Sequence, residues 1–137
     1  MHRSRLTAAL FDVPSASFAA ETAFWESALG TSAEREDPEY AELNGRFAGL
    51  QVMVQQTGDA TPARVHLDIE TDDVDAEVRR LESLGATRVR AVKSWWVMRD
   101  PAGLLFCVVR IQSPAEFEAH ATTWGESDQE ERCPIDR

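Results

Sequence analysis

Twice in this chain a Gly-Leu pair opens an alternating apolar run, at Gly49-Leu50-Gln51-Val52-Met53-Val54 and at Gly103-Leu104-Leu105-Phe106-Cys107-Val108. Twice, upstream of that run, a helix-like segment closes in the same way, at Glu26-Ser27-Ala28-Leu29-Gly30 and Glu82-Ser83-Leu84-Gly85. The runs lie 54 residues apart and the closing glycines 55, so the two copies are nearly in register. A repeated unit of this size cannot bury a core alone. The repeat therefore predicts one pseudo-symmetric domain with a cleft between its halves.

Each half reads as strand, helix and three strands. In the first, residues 6–13 form a strand that Pro14 stops. Ser15 or Ser17 caps a helix carrying Phe18, Trp25 and Leu29 on one face, and Gly30 ends it. Residues 39–43, an Asn44-Gly45 turn and a strand through Gln55 make a hairpin. Gly58-Asp59-Ala60-Thr61-Pro62 is the joint. In the second half residues 64–70 form a strand, and Asp72 or Asp73 caps a helix with Val74, Val78 and Leu81 at helical spacing that closes at Gly85. Strands follow at 88–92, weakly defined, and at 95–99; Asp100-Pro101-Ala102-Gly103 turns the chain into a last strand over 104–111. The expected organisation is one domain over residues 1–111, with modules at about 6–56 and 64–111. An acidic C-terminal tail over 112–137 follows, a short helix from Pro114 to about Thr122 and then a solvated end.

The length, 137 residues, suffices to bury roughly two-thirds of the unfolded surface without disulfide or metal staples. The net charge is −10, and the tail accounts for half of it, with seven acids against Arg132 and Arg137. No contiguous basic surface could neutralise a phosphate backbone, which excludes nucleic acid as a partner. No apolar run reaches the roughly 18 residues of a membrane span. The basic start His2-Arg3-Ser4-Arg5 leads into an alternating segment containing Asp12, unlike a signal peptide. Cys107 and Cys133 are far apart and do not read as a disulfide framework, so a reduced, cytoplasmic setting is expected.

Strand alternation divides the candidate residues between two faces. At 64–70, Val65, Leu67 and Ile69 share one side and His66, Asp68 and Glu70 the other; at 50–55, Leu50, Val52 and Val54 oppose Gln51, Met53 and Gln55. The apolar sets should cover the helices, and the polar or polarisable sets should face water or a ligand. The last strand is apolar on both faces and should be buried on both. His66 is the leading candidate for ligand binding or acid–base work, because imidazole titrates near neutral pH. Asp68 shares its face, to orient it or to sit at a wet edge. Cys107 lacks a local base and reads as an inert, buried thiol. Trp95 and Trp96 point to opposite faces, one toward the helices and one toward the cavity; Trp25 reads as core. His2 and His120, in terminal segments, should be exposed.

The repeated βαβββ unit, with Val65-His66-Leu67-Asp68 opening its second copy and Asp100-Pro101-Ala102-Gly103 before its last strand, resembles the vicinal oxygen chelate superfamily over about residues 6–111. That superfamily comprises glyoxalase I, the bleomycin-resistance proteins and the extradiol dioxygenases. More closely the chain is similar to the small bacterial glyoxalase-like branch, through Trp95-Trp96-Val97-Met98-Arg99-Asp100-Pro101 and Phe106-Cys107-Val108. The resemblance implies an α+β fold, two tandem βαβββ modules forming a curved mixed sheet around a cleft, with helices on the convex face. It places the four metal positions of the enzymes at Ala8, Met53, His66 and Cys107. Only His66 is a ready ligand there, since imidazole and carboxylate suit such metals and a methyl or thioether does not. No cofactor is therefore expected, and a divalent metal could be held only at His66. The resemblance also implies a homodimer.

The expected function is metal-free binding of a small cationic or aromatic molecule in the concave cavity, with His66, Asp68, Gln51, Met53, Trp96 and Cys107 as the ligand-binding set. The acidic balance favours a cation. The alternative is a metal-dependent lyase, isomerase or dioxygenase-type enzyme with a non-standard site around His66. A third reading, a partner-binding module acting through its acidic tail, would survive loss of the cavity.

Overall fold

Alternating apolar strands and two helices of similar spacing fold as the repeat requires. The structure, a computed structural model, describes residues 1–45, 47–59 and 62–125. In chain order the elements are β1 (His2–Val13), a 3-10 turn (Ser15–Ser17), α1 (Phe18–Leu29), β2 (Ala33–Glu34), β3 (Tyr40–Leu43) and β4 (Gln51–Gln56). Then come β5 (Arg64–Thr71), α2 (Val74–Ser83), β6 (Thr87–Val92), β7 (Trp95–Arg99), β8 (Leu105–Arg110), α3 (Pro114–His120) and β9 (Thr122–Trp124). The strand–helix–three-strand order is thus present twice, in an α+β fold whose ladders are parallel between β1 and β4 and antiparallel elsewhere among the pairs described.

The chain forms two compact units, Thr7–Asp68 and a second made of Met1–Leu6 with Ile69–Arg137, so β1 and β5 each contribute to both. In the Thr7–Asp68 unit the strand order is β2-β3-β4-β1. Val13, Ala41 and Val54 are buried on one face, and Phe11, Phe18, Trp25 and Ala33 pack on them. Trp25 is core as expected, its ring 4.8 Å from that of Phe11. Gly30 ends α1 in the left-handed conformation at φ 66°. No serine side chain caps that helix, however; Ser17 is its N-cap residue without a side-chain hydrogen bond, because the 3-10 turn already feeds the chain into it.

The β3–β4 hairpin corrects the expected turn. Tyr40 pairs with Gln55, Ala41 with Val54 and Glu42 with Met53, and the bridge between Phe47 and Leu50 puts the turn at Ala48-Gly49 rather than Asn44-Gly45. Phe47 and Leu50 exchange two backbone hydrogen bonds of 3.1 Å across it, with Ala48 at φ 54° and Gly49 at φ 80°. Alanine resists positive φ and glycine does not. Ala48→Gly is therefore expected to raise the free energy of unfolding by about 0.5–1 kcal/mol, read from urea denaturation. An unchanged or lower value would show that the turn carries no such strain.

In the second unit β8, β7 and β6 lie side by side beyond β5, and α2 packs on them. Val78, Met98, Phe106 and Val108 form the core, joined by Ile69, Val74, Leu81, Ala86 and Trp96. Asp73 caps α2 by accepting from Ala76 N at 3.0 Å, as its position predicts. The Asp100 carboxylate accepts from Ala102 N and Leu104 N and closes the turn before β8.

Several expectations need correction. Val65 and Leu67 are exposed (55% and 41%) instead of lying under a helix; of that alternating set only Ile69 joins a core. The last strand is fully buried only through Phe106 and Val108, and Leu104 stands outside it, exposed. β1 begins at His2, four residues earlier than expected, and after the expected short helix the chain enters a strand instead of turning to solvent. Helix α3 ends at His120, and β9 pairs antiparallel with His2, Arg3 and Ser4. His2 is consequently buried, whereas His120 is exposed as expected. The expectations for Ala60, Thr61 and the acidic end with Cys133 lie outside the described residues. Among the described residues no helix is long and apolar enough to cross a membrane.

Candidate functional site

β1 runs apolar through Leu10 and Phe11, then places a carboxylate at Asp12 where the side chain is 2% exposed. The ladder between β1 and β4 sets Ala8, Leu10 and Asp12 beside Gln51, Met53 and Gln55, and β3 adds Tyr40 beside Gln55 and Glu42 beside Met53. Paired residues share a face of the sheet, so these side chains all stand opposite the α1 core. The alternation that makes one face apolar has gathered the polar groups of this unit on the other.

His66 joins Asp12 there. Its Nδ1 lies 2.5 Å from Asp12 Oδ2, and its Nε2 is ion-paired at 3.4 Å with Asp68 Oδ1. Arg64 Nε stands 3.6 Å from the same Asp12 oxygen. Burial alone would lower the imidazole pKa. The hydrogen bonds and negative charges of Asp12 and Asp68 outweigh it and push His66 up to about 9. At neutral pH the ring is therefore an imidazolium held between two carboxylates. Burial and the neighbouring Glu39, Asp68, Asp37 and Asp12 likewise push the Tyr40 phenol up, while its oxygen accepts from Gln55 Nε2 at 2.9 Å.

Two acceptors on this face are short of donors. Asp12 Oδ1 is buried and has no hydrogen-bond partner, and Asp68 Oδ1, also buried, has only the long 3.4 Å approach of His66 Nε2. A buried carboxylate oxygen without a donor is costly, and such a group in a folded protein calls for an explanation. Gln51 Nε2 donates to Glu42 Oε1 at 2.7 Å, which leaves the carbonyl end of Gln51 free to accept.

The metal positions implied by the resemblance can be tested on these contacts. Ala8 offers a methyl group, Met53 a thioether, and both His66 nitrogens are committed to carboxylates. Ala8 and Met53 therefore offer a hard divalent ion no suitable donor, and an ion at His66 would have to displace a proton that two carboxylates hold in place.

Of the expected ligand-binding set, His66, Asp68, Gln51 and Met53 thus belong to one unit, with His66 and Asp68 in contact. Trp96 packs on the α2 core of its own unit with the Arg88 guanidinium 4.8 Å over its ring. Cys107, half-buried and in no disulfide, pairs with Val97 in the β7–β8 ladder. Asp12, Tyr40 and Glu42 were not anticipated. The one available signal for Asp12 was a charge inside an otherwise apolar strand.

A family model described as glyoxalase-like domain matches residues 8–109. Comparison with curated proteins gives no match. Among solved structures, the chain is similar to methylmalonyl-CoA epimerase from Mycobacterium tuberculosis, with 18% identity, TM-score 0.55, and coverage of 80% of this chain and 89% of that one. It is also similar to the Mn(II)-bound glyoxalase from Novosphingobium aromaticivorans, with 21% identity, TM-score 0.54, and 82% and 43% covered. A glyoxalase/bleomycin resistance protein/dioxygenase superfamily member from Vibrio splendidus 12B01 gives 16% identity, TM-score 0.55, and 79% and 99% covered. At these identities the likenesses show the fold alone.

Proposed function

We propose that this chain, which belongs to the glyoxalase-like domain family of the vicinal oxygen chelate superfamily, binds a small cationic molecule without a metal ion on the polar face of its Thr7–Asp68 unit. The observation that carries this reading is a pair of buried carboxylate oxygens short of donors, Asp12 Oδ1 with no hydrogen bond and Asp68 Oδ1 with only the 3.4 Å ion pair to His66. A ligand bearing N–H groups and positive charge would satisfy both, and charge-assisted bonds of that kind are about twice as strong as neutral ones. With His66 protonated and Arg64 beside Asp12, the charges of Asp12, Asp68, His66 and Arg64 balance, so the preference for a cation rests on the two oxygens short of donors, with Glu42 on the same face. Gln51 and Met53 line the surface beside them.

The same protonation argues against catalysis of the family's metal-dependent kind. A ring that titrates at about 9 is already protonated at neutral pH, so it is no general base there, and a metal could bind it only by displacing that proton. It can donate a hydrogen bond and hold the two carboxylates in place. The purified protein is accordingly expected to carry no stoichiometric divalent ion by elemental mass spectrometry; a stoichiometric ion that disappears in His66→Ala would overturn the metal-free reading.

Benzamidine and its neutral isostere benzamide test the charge requirement. Calorimetric titration should show saturable binding of benzamidine, weakened at least about tenfold by Asp12→Asn or Asp68→Asn, with benzamide at least as much weaker. Equal binding of the two compounds, or benzamidine binding untouched by both substitutions, would sink the proposal.

A further inference from the structure

The chain contains thirteen arginines and one lysine, and that lysine stands where the backbone least favours a side chain. Lys93 occupies the β6–β7 turn at φ 50°, in the left-handed region that glycine or asparagine occupies with less strain. A strained residue kept in place is a reason to ask what its side chain does. The Lys93 ammonium reaches 6.0 Å from the Trp95 ring centroid, the outer limit of a cation–π contact, and no carboxylate pairs with it among the described residues.

Lys93, Ser94, Trp95 and Trp96 line a hollow of about 720 Å³ together with the start of α2 and Arg110, all within the second unit. Arg110, exposed at the end of β8, also has no ion-pair partner among the described residues. Elsewhere in this unit Arg3, Arg5, Arg80 and Arg88 each hold a carboxylate. The aspartates at the rim are mostly engaged. Arg3 binds Asp72 through N–H groups of its backbone and side chain, and Asp73, capping α2, and Asp75 keep their charges, so that Lys93 and Arg110 balance the two carboxylates left at the rim. In a chain of net charge −10, unpaired cations gathered beside tryptophan mark a place where an anion is favoured over the rest of the surface.

We infer that this hollow binds a small aromatic carboxylate, its ring on the Trp95 indole and its carboxylate between Lys93 and Arg110. The indole face supplies area for a planar ring at little entropic cost. Ammonium and guanidinium supply the charge-assisted bonds. Aliphatic acids lack the stacking part and aromatic amines meet the wrong charge, so both should be poor ligands.

Benzoate is the probe, titrated into the full-length protein by calorimetry, with acetate and benzylamine as controls. Because Lys93 is the only lysine, reductive ¹³C-methylation, which retains its charge, places one ε-dimethyl resonance at the site. Benzoate should bind saturably and shift that resonance, while acetate and benzylamine bind at least about tenfold more weakly. Lys93→Gly should lose benzoate affinity about tenfold while keeping or raising the melting temperature, since it removes the charge and relaxes the turn. Arg110→Gln should weaken benzoate as well. The inference fails if benzoate does not saturate, if benzylamine binds as well, or if Lys93→Gly binds benzoate like the parent protein.

Discussion

Replacing Glu77 by alanine is expected to lower the free energy of unfolding by about 3–5 kcal/mol, the largest loss from any single substitution of a charged side chain here. Glu77 sits on α2 and is fully buried. His2 Nε2 meets it at 2.6 Å, Ser4 Oγ donates at 2.9 Å, and Arg80 donates twice, at 2.9 and 2.7 Å. Trp124 of β9 donates to Ser4 Oγ, and the Arg80 guanidinium lies 3.8 Å over the Trp124 ring. Alanine would strand the half-buried Arg80 guanidinium and the buried His2 imidazole and remove the group through which β1 and β9 are fastened to α2. Burial by itself would raise the Glu77 pKa, but the bonds from Arg80, His2 and Ser4 hold it below the usual carboxylate range. A depressed folded pKa means that the stabilisation is complete above the unfolded value, near 4.5, and is lost as pH falls through the folded one. Urea titrations of parent and Glu77→Ala should therefore differ most at neutral pH and converge in acid. The exposed pair of Arg3 and Glu118 gives the contrast: solvent screens it, and Glu118→Ala should leave stability nearly unchanged. A Glu77→Ala cost as small as that would refute the network's role.

That latch was hard to read from sequence for a physical reason. His2, Arg3 and Arg5 look like a solvated basic start because their partners lie 65 or more residues away in Glu70, Asp72, Glu77 and Glu118. Local pattern carries no trace of such a pairing. The repeat, the Gly30 and Asp73 helix ends and the turn at Asp100 were legible because each depends on a few adjacent residues. The β3–β4 hairpin shows where local preference loses. Asn44-Gly45 is the better turn dipeptide, yet a register built on it would take Ala41 away from Val54, with which it shares the α1 core. Core pairing selected the costlier Ala48-Gly49 turn. In the site, alternation put His66 and Asp68 on the polar face correctly, but His66 meets Asp12 across 54 residues, and only the strand pairing brings that carboxylate in.

Between pH 6.5 and about 9 the protein should lose about 2–3 kcal/mol of stability through His66 alone. The folded pKa is raised above the unfolded value, so the folded state holds a proton that the unfolded chain releases first. The contribution is therefore fully present below pH 6.5 and vanishes as pH rises through about 9. Its source is specific: burial opposes the charge, and the hydrogen bonds to Asp12 and Asp68 more than offset burial. Asp12→Asn removes the nearer carboxylate and should bring the His66 titration, followed by its imidazole proton resonance, down toward or below 6.5. It should also flatten the alkaline loss of stability. The same substitution is expected to abolish binding of a cation on this face, so stability and binding must change together. A His66 resonance that titrates near 6.5 in the parent protein would remove the imidazolium and, with it, the proton that a metal would have to displace. A raised titration that persists in Asp12→Asn would shift the controlling charge to Asp68, whose Oδ1 would then be the first oxygen to examine for ligand contact.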